Sequence, residues 1–291
     1  MRGARVWYGS VDDRFGGMFT CAFAALARFS GMRIFLHHHS FLYVDADSAV
    51  MRWLTWLAGP RARHVVLCEA MGERFRARYP AVRHVIAAPN AVPEPEEAAP
   101  RAKRGGITIG LMSNLMFEKG LATFTALVEA ARAEGLDVRG VLAGPASGPA
   151  AERHIGEAVA RNSAALEWRG PVAGDAREAF FADIDLFVFP TTYRTEAYPL
   201  VLVEALVRAV PVIALERGCI CDLAPLESCT VVASPDDFAN TALALLRRWQ
   251  SRPEDVVEAS RIARTEGRAL NAANLALRDG LVAEIVAAAT H

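Results

Sequence analysis

Lysine is nearly absent from this 291-residue chain: Lys103 and Lys119 stand alone among 32 basic residues, and the other 30 are arginine. Long hydrophobic runs are missing as well. Arg28 interrupts the apolar stretch from Gly16 to Phe29, and Glu204 and Arg208 interrupt that from Pro199 to Leu215. Neither reaches the roughly 18 uncharged residues that a helical membrane span needs. Excess charge is lacking too: the net charge of -1 argues against a nucleic-acid-coating protein, so no nucleic-acid partner is expected. The five cysteines are an odd set without the framework of a small secreted domain, and Cys219-Ile220-Cys221 is too tightly spaced for a CxxC pair. The N-terminus, Met1-Arg2-Gly3-Ala4-Arg5, leads into a short apolar strand and then Asp12-Asp13-Arg14, without the apolar core of a secretory signal. A cytoplasmic protein is the expectation.

What is present is core-forming material. With 53% hydrophobic and 22% charged residues, the chain reads as globular. Its length fits about two domains of roughly 150 residues each. Four prolines and three acids fall in Ala88 to Pro100, a segment with no apolar periodicity, which reads as a linker. The division is 1–98, 99–265, and a C-terminal helix over 266–291 packing back on the first domain. Residues 1–104 carry 15 basic and 9 acidic side chains, and 105–291 carry 17 and 24. The basic first part suits an anionic lipid surface at the inner membrane face, particularly around Met51 to Leu57 and Arg61, Arg63, Arg74, Arg76, Arg78 and Arg83. A solvated face beside a core-packing helix explains the same residues.

Short β-rich runs at 5–9, 33–38, 64–68 and 84–88 alternate with helical patterns near 15–30, 47–59 and 69–79. After the linker come strands at 107–112, 138–143, 165–169, 186–189, 211–215 and 229–233. Helices fit near 119–134, 150–162, 174–182 and 199–209, and the chain is helical from 236 to 288. Alternation of this kind builds parallel sheets. In open parallel sheets, ligands bind beyond the carboxyl ends of the strands, so the loops there carry the candidates.

Three loops stand out. In Met112-Ser113-Asn114-Leu115-Met116-Phe117-Glu118-Lys119-Gly120, a scarce lysine sits where a helix begins and adds charge to amides that already favour a phosphate. After Phe187-Val188-Phe189-Pro190, a polar loop carries Glu196, and Pro199 opens a helix in which Glu204 lies among apolar residues. A carboxylate there needs a partner. Ionised glutamates accept hydrogen bonds and so suit sugar hydroxyls, while the amides near Ala197 and Tyr198 suit an anion. The third loop follows His37-His38-His39. Side chains alternate along a strand, so at most His37 and His39 converge, and no acidic ligand stands at short spacing. No metal or other cofactor is expected.

Glu196-x7-Glu204, with Glu204-Ala205-Leu206, Val210-Pro211-Val212-Ile213-Ala214 and the preceding Lys119-Gly120, Ala143-Gly144 and Arg169-Gly170-Pro171-Val172, resembles the nucleotide-sugar signature of family 4 glycosyltransferases. The resemblance runs from the linker to about residue 248. It implies an α/β, GT-B-like fold of two Rossmann-like doubly wound domains, the first incomplete. It also implies a retaining, metal-independent transfer of a hexose from a UDP- or GDP-sugar to a glycan or lipid-linked acceptor. Carried over by position, Lys119 meets the donor diphosphate, Glu196 the transferred sugar and Glu204 the ribose. Gly170 and Val172 lie by the base, Gly218 and Cys219 by the sugar or phosphate, and His39 faces the sugar. Asn114, Ala197, Tyr198 and Leu200 complete the donor-binding set. The family often has Gly-Arg-Leu before its lysine where this chain has Ser113-Asn114-Leu115, so Lys119 and helix termini bear more of the diphosphate charge. The first domain is short of the family's initial strands, which implies an open sheet edge and self-association through it. A non-catalytic sugar-nucleotide-binding or scaffold protein, an epimerase and a phosphorylase are the alternatives on the same fold.

Overall fold

A computed structural model describes residues 5–11, 16–95 and 105–290. It divides into two compact units: Met1–Ala91 with Arg194–Tyr198 and Ala272–His291, and Val92–Tyr193 with Pro199–Asn271. The sequence-based boundary at 98/99 lies outside the described residues.

The first unit runs β1 (Val6–Val11), α1 (Gly16–Phe29), β2 (Arg33–His38), a single turn α2 (Leu42–Asp45), α3 (Ala49–Ala58), β3 (Arg63–Val66), α4 (Glu69–Arg78) and β4 (His84–Ala87). Its four strands are parallel and lie in chain order, β1-β2-β3-β4. Successive strands are joined by helical crossovers, the connection that parallel pairing requires. Phe35 and Leu36 on β2 and Val65 and Val66 on β3 are fully buried, as inner strands covered on both faces must be. By contrast, β1 is half exposed and, among the described residues, pairs only with β2, so it stands at the edge of the described sheet. Helix starts are capped locally: the Ser48 hydroxyl accepts from the Met51 amide and the Cys68 sulfur from the Met71 amide.

The second unit runs β5 (Ile107–Met112), a 3₁₀ turn (Phe117–Lys119), α5 (Leu121–Ala133), β6 (Val138–Ala143), α6 (Pro149–Arg161) and β7 (Leu166–Trp168). It continues with α7 (Asp175–Asp183), β8 (Leu186–Phe189), α8 (Leu200–Val207), β9 (Val212–Leu215), a 3₁₀ turn (Gly218–Leu223), β10 (Cys229–Val232), α9 (Pro235–Ser251) and α10 (Pro253–Thr290). The parallel order is β10-β9-β8-β5-β6-β7. From β5 the chain winds outward to β7, returns to the other side of β5 as β8, and winds outward again. The reversal lies between β5 and β8, where Ile109 stands opposite Leu186. Phe187, Val188, Ile213 and Ala214 are buried at the centre of this sheet.

Helix α10 is longer than the segment 266–291 read from sequence. It starts at Pro253, directly after Arg252 closes α9 by donating its amide to the Arg248 carbonyl. Its residues from Ala272 onward group with the first unit. There Leu281, Ile285 and Ala288 form an apolar stripe against Phe35, Val65 and Ala88, and Glu284 pairs with Arg63 at 2.5 Å. The Glu196 loop, assigned by sequence to 99–265, also groups with the first unit.

Candidate active site

The crevice of a doubly wound sheet opens where the strand order reverses, at the carboxyl ends of β5 and β8. In this protein the two strand ends are tied together. The Thr192 amide donates to the Glu118 carbonyl at 2.8 Å, and the hydroxyls of Thr191 and Thr192 reach the same oxygen at 3.4 and 3.3 Å. Gly120 has φ of 88°, and a Cβ there would stand 2.4 Å from Pro190 Cγ, so glycine alone allows the start of α5 to sit against the end of β8. Lys119 is placed by this junction. Its ammonium lies 4.7 Å from the centroid of the Tyr193 ring and 5.8 Å from that of Phe189. Directly behind it, the first turn of the 13-residue helix α5 presents amides without intrahelical acceptors. Lysine, helix terminus and aromatic support therefore converge at the strand-order reversal, the place where open parallel sheets in general take their ligands.

Neighbouring loops are drawn in by the same means. Gly144, at the end of β6, has φ of 113°, and a Cβ would fall 1.9 Å from the Ser113 carbonyl oxygen. Its amide donates to the Gly170 carbonyl at 2.7 Å, and its carbonyl accepts from Trp168 Nε1 at 3.0 Å. The loops after β5, β6 and β7 thus form one layer holding Asn114 and Gly170, with Val172 half-buried nearby in sequence. Gly218 and the buried Cys219 open the 3₁₀ turn after β9, and Leu200 is exposed at the start of α8.

Glu204 lies inside α8, buried, and its carboxylate pairs with Arg177 of α7. The partner that burial of this carboxylate demanded is therefore an arginine from a preceding helix, which sequence spacing did not identify. Arg208 braces the pair: Nη1 donates to the Glu204 carbonyl at 3.1 Å, while the guanidinium holds Glu178 at 2.7 and 2.8 Å. Burial, followed by the charge of Arg208, lowers the pKa of Arg177.

In the first unit the Arg194–Tyr198 segment carries Glu196, Ala197 and Tyr198, all buried. Asn274 of α10 donates Nδ2 to Tyr198 Oη at 2.8 Å and to the Asn90 carbonyl at 2.9 Å, and Asn90 Nδ2 reaches the Tyr198 carbonyl at 3.4 Å. Within the second unit, Asn271 clasps both polar groups of the Val92 backbone at 2.9 Å. Neither Asn90, Asn271 nor Asn274 was found by sequence reasoning. The available signal was Asn271-Ala272-Ala273-Asn274, two amides three apart in an alanine- and leucine-rich helix, because buried amides need partners.

The histidine triplet at the end of β2 separates by strand alternation. His38 is fully buried, with Nδ1 3.1 Å from Tyr43 Oη and Nε2 3.0 Å from His64 Nδ1. Burial, and then the neighbouring His64, hold its pKa well below the usual imidazole value, and burial lowers that of His64 to about 3. On the other side, the rings of His37 and His39 lie tilted by 37° with centroids 4.1 Å apart, and His37 Nδ1 meets the Tyr8 hydroxyl. Burial and then His39 lower the His37 pKa to about 4, and partial burial lowers that of His39. Among the described residues no group of three or more His, Cys, Asp or Glu side chains is arranged to hold a metal ion. No described helix is long and apolar enough to cross a membrane.

Residues 106–248 match the family model described as glycosyl transferases group 1. No curated protein sequence matches the chain. Among solved structures, Alr3699/HepE of Anabaena in complex with UDP shares 14% identity over 93% of this chain and 77% of its own, with a TM-score of 0.75. Sucrose-phosphate synthase of Thermosynechococcus elongatus shares 17% identity over 98% and 74%, with a TM-score of 0.74. The pneumococcal O-GlcNAc transferase GtfA, in complex with UDP and GlcNAc, shares 13% identity over 97% and 56%, with a TM-score of 0.65. In fold the protein is thus GT-B-like, built from Rossmann-like units, and over residues 106–248 it is similar to the glycosyl transferases of group 1.

Proposed function

We propose that the protein is a retaining, metal-independent glycosyltransferase that moves a hexose from a UDP- or GDP-sugar to a glycan or lipid-linked acceptor. The observation that carries the reading is the junction of Lys119, Gly120 and the α5 terminus with Pro190 and Thr192 at the sheet's reversal point. Fixed positive charge at that place suits a diphosphate, both bound and as it departs with the electrons of the broken glycosidic bond. Group 1 similarity over this segment and the UDP bound by Alr3699/HepE support a nucleotide-sugar as the donor.

Within this reading Lys119 neutralises the diphosphate. Glu204, oriented by Arg177, accepts from the ribose hydroxyls, and Gly170 and Val172 lie at the base. Gly218, Cys219, Leu200, Ala197 and Tyr198 line the sugar and phosphates, with Glu196 and His39 as partners of the transferred sugar. Asn114 contributes a polar group without charge. A second reading on the same fold is a protein that binds the sugar-nucleotide without transferring the sugar.

Incubation with radiolabelled UDP-glucose and GDP-mannose, in the presence of membranes and of glycan fractions, tests the proposal. Labelled product that forms equally well in EDTA is expected. Nucleotide binding without any product selects the second reading, and product that disappears with chelator and returns with manganese rejects the metal-free mechanism.

A further inference from the structure

Helix α1 is apolar on both sides. Gly17, Thr20, Ala24 and Ala27 face inward, and the outward stripe of Met18, Phe19, Phe23, Leu26 and Phe29 bears no charge, with Phe29 89% exposed. Helices that are apolar all round belong inside a protein or against lipid. Beside α1, α3 presents Trp53 and Trp56, 61% and 62% exposed. The helices run alongside each other, the Cys21 sulfur approaching the Val50 carbonyl at 3.7 Å and Arg28 donating to the carbonyls of Trp56 and Leu57 at 2.9 and 3.2 Å. Their stripes therefore form one aromatic-rich face, larger in character than scattered surface hydrophobes.

The two helices that form this face carry no carboxylate. No Asp or Glu occurs from Gly16 to Val44 or from Ser48 to Cys68. Of the arginines in these stretches, Arg52 pairs with Asp47, Arg63 with Glu284, and Arg28 is held by helix carbonyls. Arg33 and Arg61 are exposed, and with Arg28, Gly59 and Pro60 they line an open cavity of about 580 Å³ at the carboxyl ends of α1 and α3. Elsewhere in the basic first part, Arg74 is held by Asp45 and Arg78 by the Val44 carbonyl. An uncharged aromatic face edged by arginines that have no carboxylate partner among the described residues matches an anionic lipid surface, where tryptophan and phenylalanine sit at the headgroup boundary and arginines meet phosphates.

We propose that the α1/α3 face docks on an anionic phospholipid bilayer, with Phe23, Phe29, Trp53 and Trp56 seated among the headgroups and Arg33 and Arg61 on lipid phosphates. The inference stands on the first unit alone and is independent of any catalytic role.

Co-sedimentation of the full chain with vesicles tests it. Binding is expected to vesicles of phosphatidylcholine mixed with phosphatidylglycerol and not to phosphatidylcholine alone, and to weaken as salt is raised. Arg33→Gln and Arg61→Gln should each weaken partitioning about five-fold, the equivalent of about 1 kcal/mol per charge at the surface. Trp53→Ser with Trp56→Ser should abolish it with an unchanged circular dichroism spectrum. In the unaltered protein, brominated lipid should quench tryptophan fluorescence, a readout that needs no variant. Absence of binding to either vesicle, or equal binding to both, overturns the proposal. So does a concentration-dependent dimer that the tryptophan replacements dissolve while vesicle binding is absent, which would make a second copy the occupant.

Discussion

Gly120 meets Pro190 so closely that a methyl group at position 120 would lie 2.4 Å from the proline ring and 2.7 Å from its carbonyl oxygen. Two strand ends that are distant in sequence are locked by this approach, and Lys119 is aimed by it. Gly120→Ala should therefore both strain a backbone with φ of 88° and push the β8 loop away. A loss of roughly 1–3 kcal/mol in urea denaturation is expected, accompanied by weaker nucleotide binding. A variant of unchanged stability that binds as before would show that the junction does not position the site.

Glu204 and Glu196 should fail differently. Removing the first by Glu204→Ala takes away the proposed ribose contact and leaves Arg177 without its carboxylate, so the affinity for free nucleoside diphosphate should fall. Glu196→Ala should lower turnover while that affinity stays nearly intact. Arg177→Ala separates orientation from contact: nucleotide affinity should fall, though less than in Glu204→Ala. Identical losses in binding and turnover for both glutamate variants would reject the assignment.

Acid should weaken the first unit through its buried histidine pair. His64 titrates at about 3 in the folded protein and His38 well below the usual value, whereas unfolded imidazoles titrate near 6.5. Between those values the unfolded chain binds more protons, so stability is full above about pH 6.5 and falls as pH drops. One such histidine costs on the order of 2 kcal/mol by pH 5. Urea denaturation at pH 7.5 and pH 5, followed by the same comparison in His64→Phe, measures it, and the variant should have a shallower dependence.

How far the sequence could be read depended on whether the signal was local. Strands such as Ile107–Met112 and Leu186–Phe189 are continuous apolar runs closed by turn residues, and they lie where the periodicity put them. Six strands alternating with helices marked a doubly wound domain, but the order β10-β9-β8-β5-β6-β7, which puts the loops after β5 and β8 at the crevice, is set by long-range pairing. Three side-chain features were not legible either. Arg177 is 27 residues from Glu204, and only packing of α7 on α8 shows that they pair. Asn274 holds Tyr198 across 76 residues, with no spacing rule to connect them. His38 sits between two partly exposed histidines of identical chemistry, and only strand alternation with His64 opposite makes it a core residue.

Lys119→Ala should cut turnover by about two to three orders of magnitude, the loss that follows deletion of one preorganised charge-stabilising group. Lys119→Arg is expected to recover only part of it, since a planar guanidinium does not fit the point-charge position over Tyr193. Initial rates with labelled donor measure both, and a Lys119→Ala enzyme within a few-fold of the unaltered one would remove the lysine from the mechanism.

The most direct test of the central claim, that the loops after β5 and β8 hold a nucleoside diphosphate, is a thermal-unfolding titration of the full chain with UDP, GDP and ADP, repeated with Lys119→Ala. A ligand present at a hundred times its dissociation constant stabilises the folded state by about 2.7 kcal/mol. One of the three nucleotides should raise the midpoint in proportion to the logarithm of its concentration, and Lys119→Ala should need a much higher concentration for the same rise. A midpoint indifferent to all three, or one raised equally in Lys119→Ala, would contradict the account.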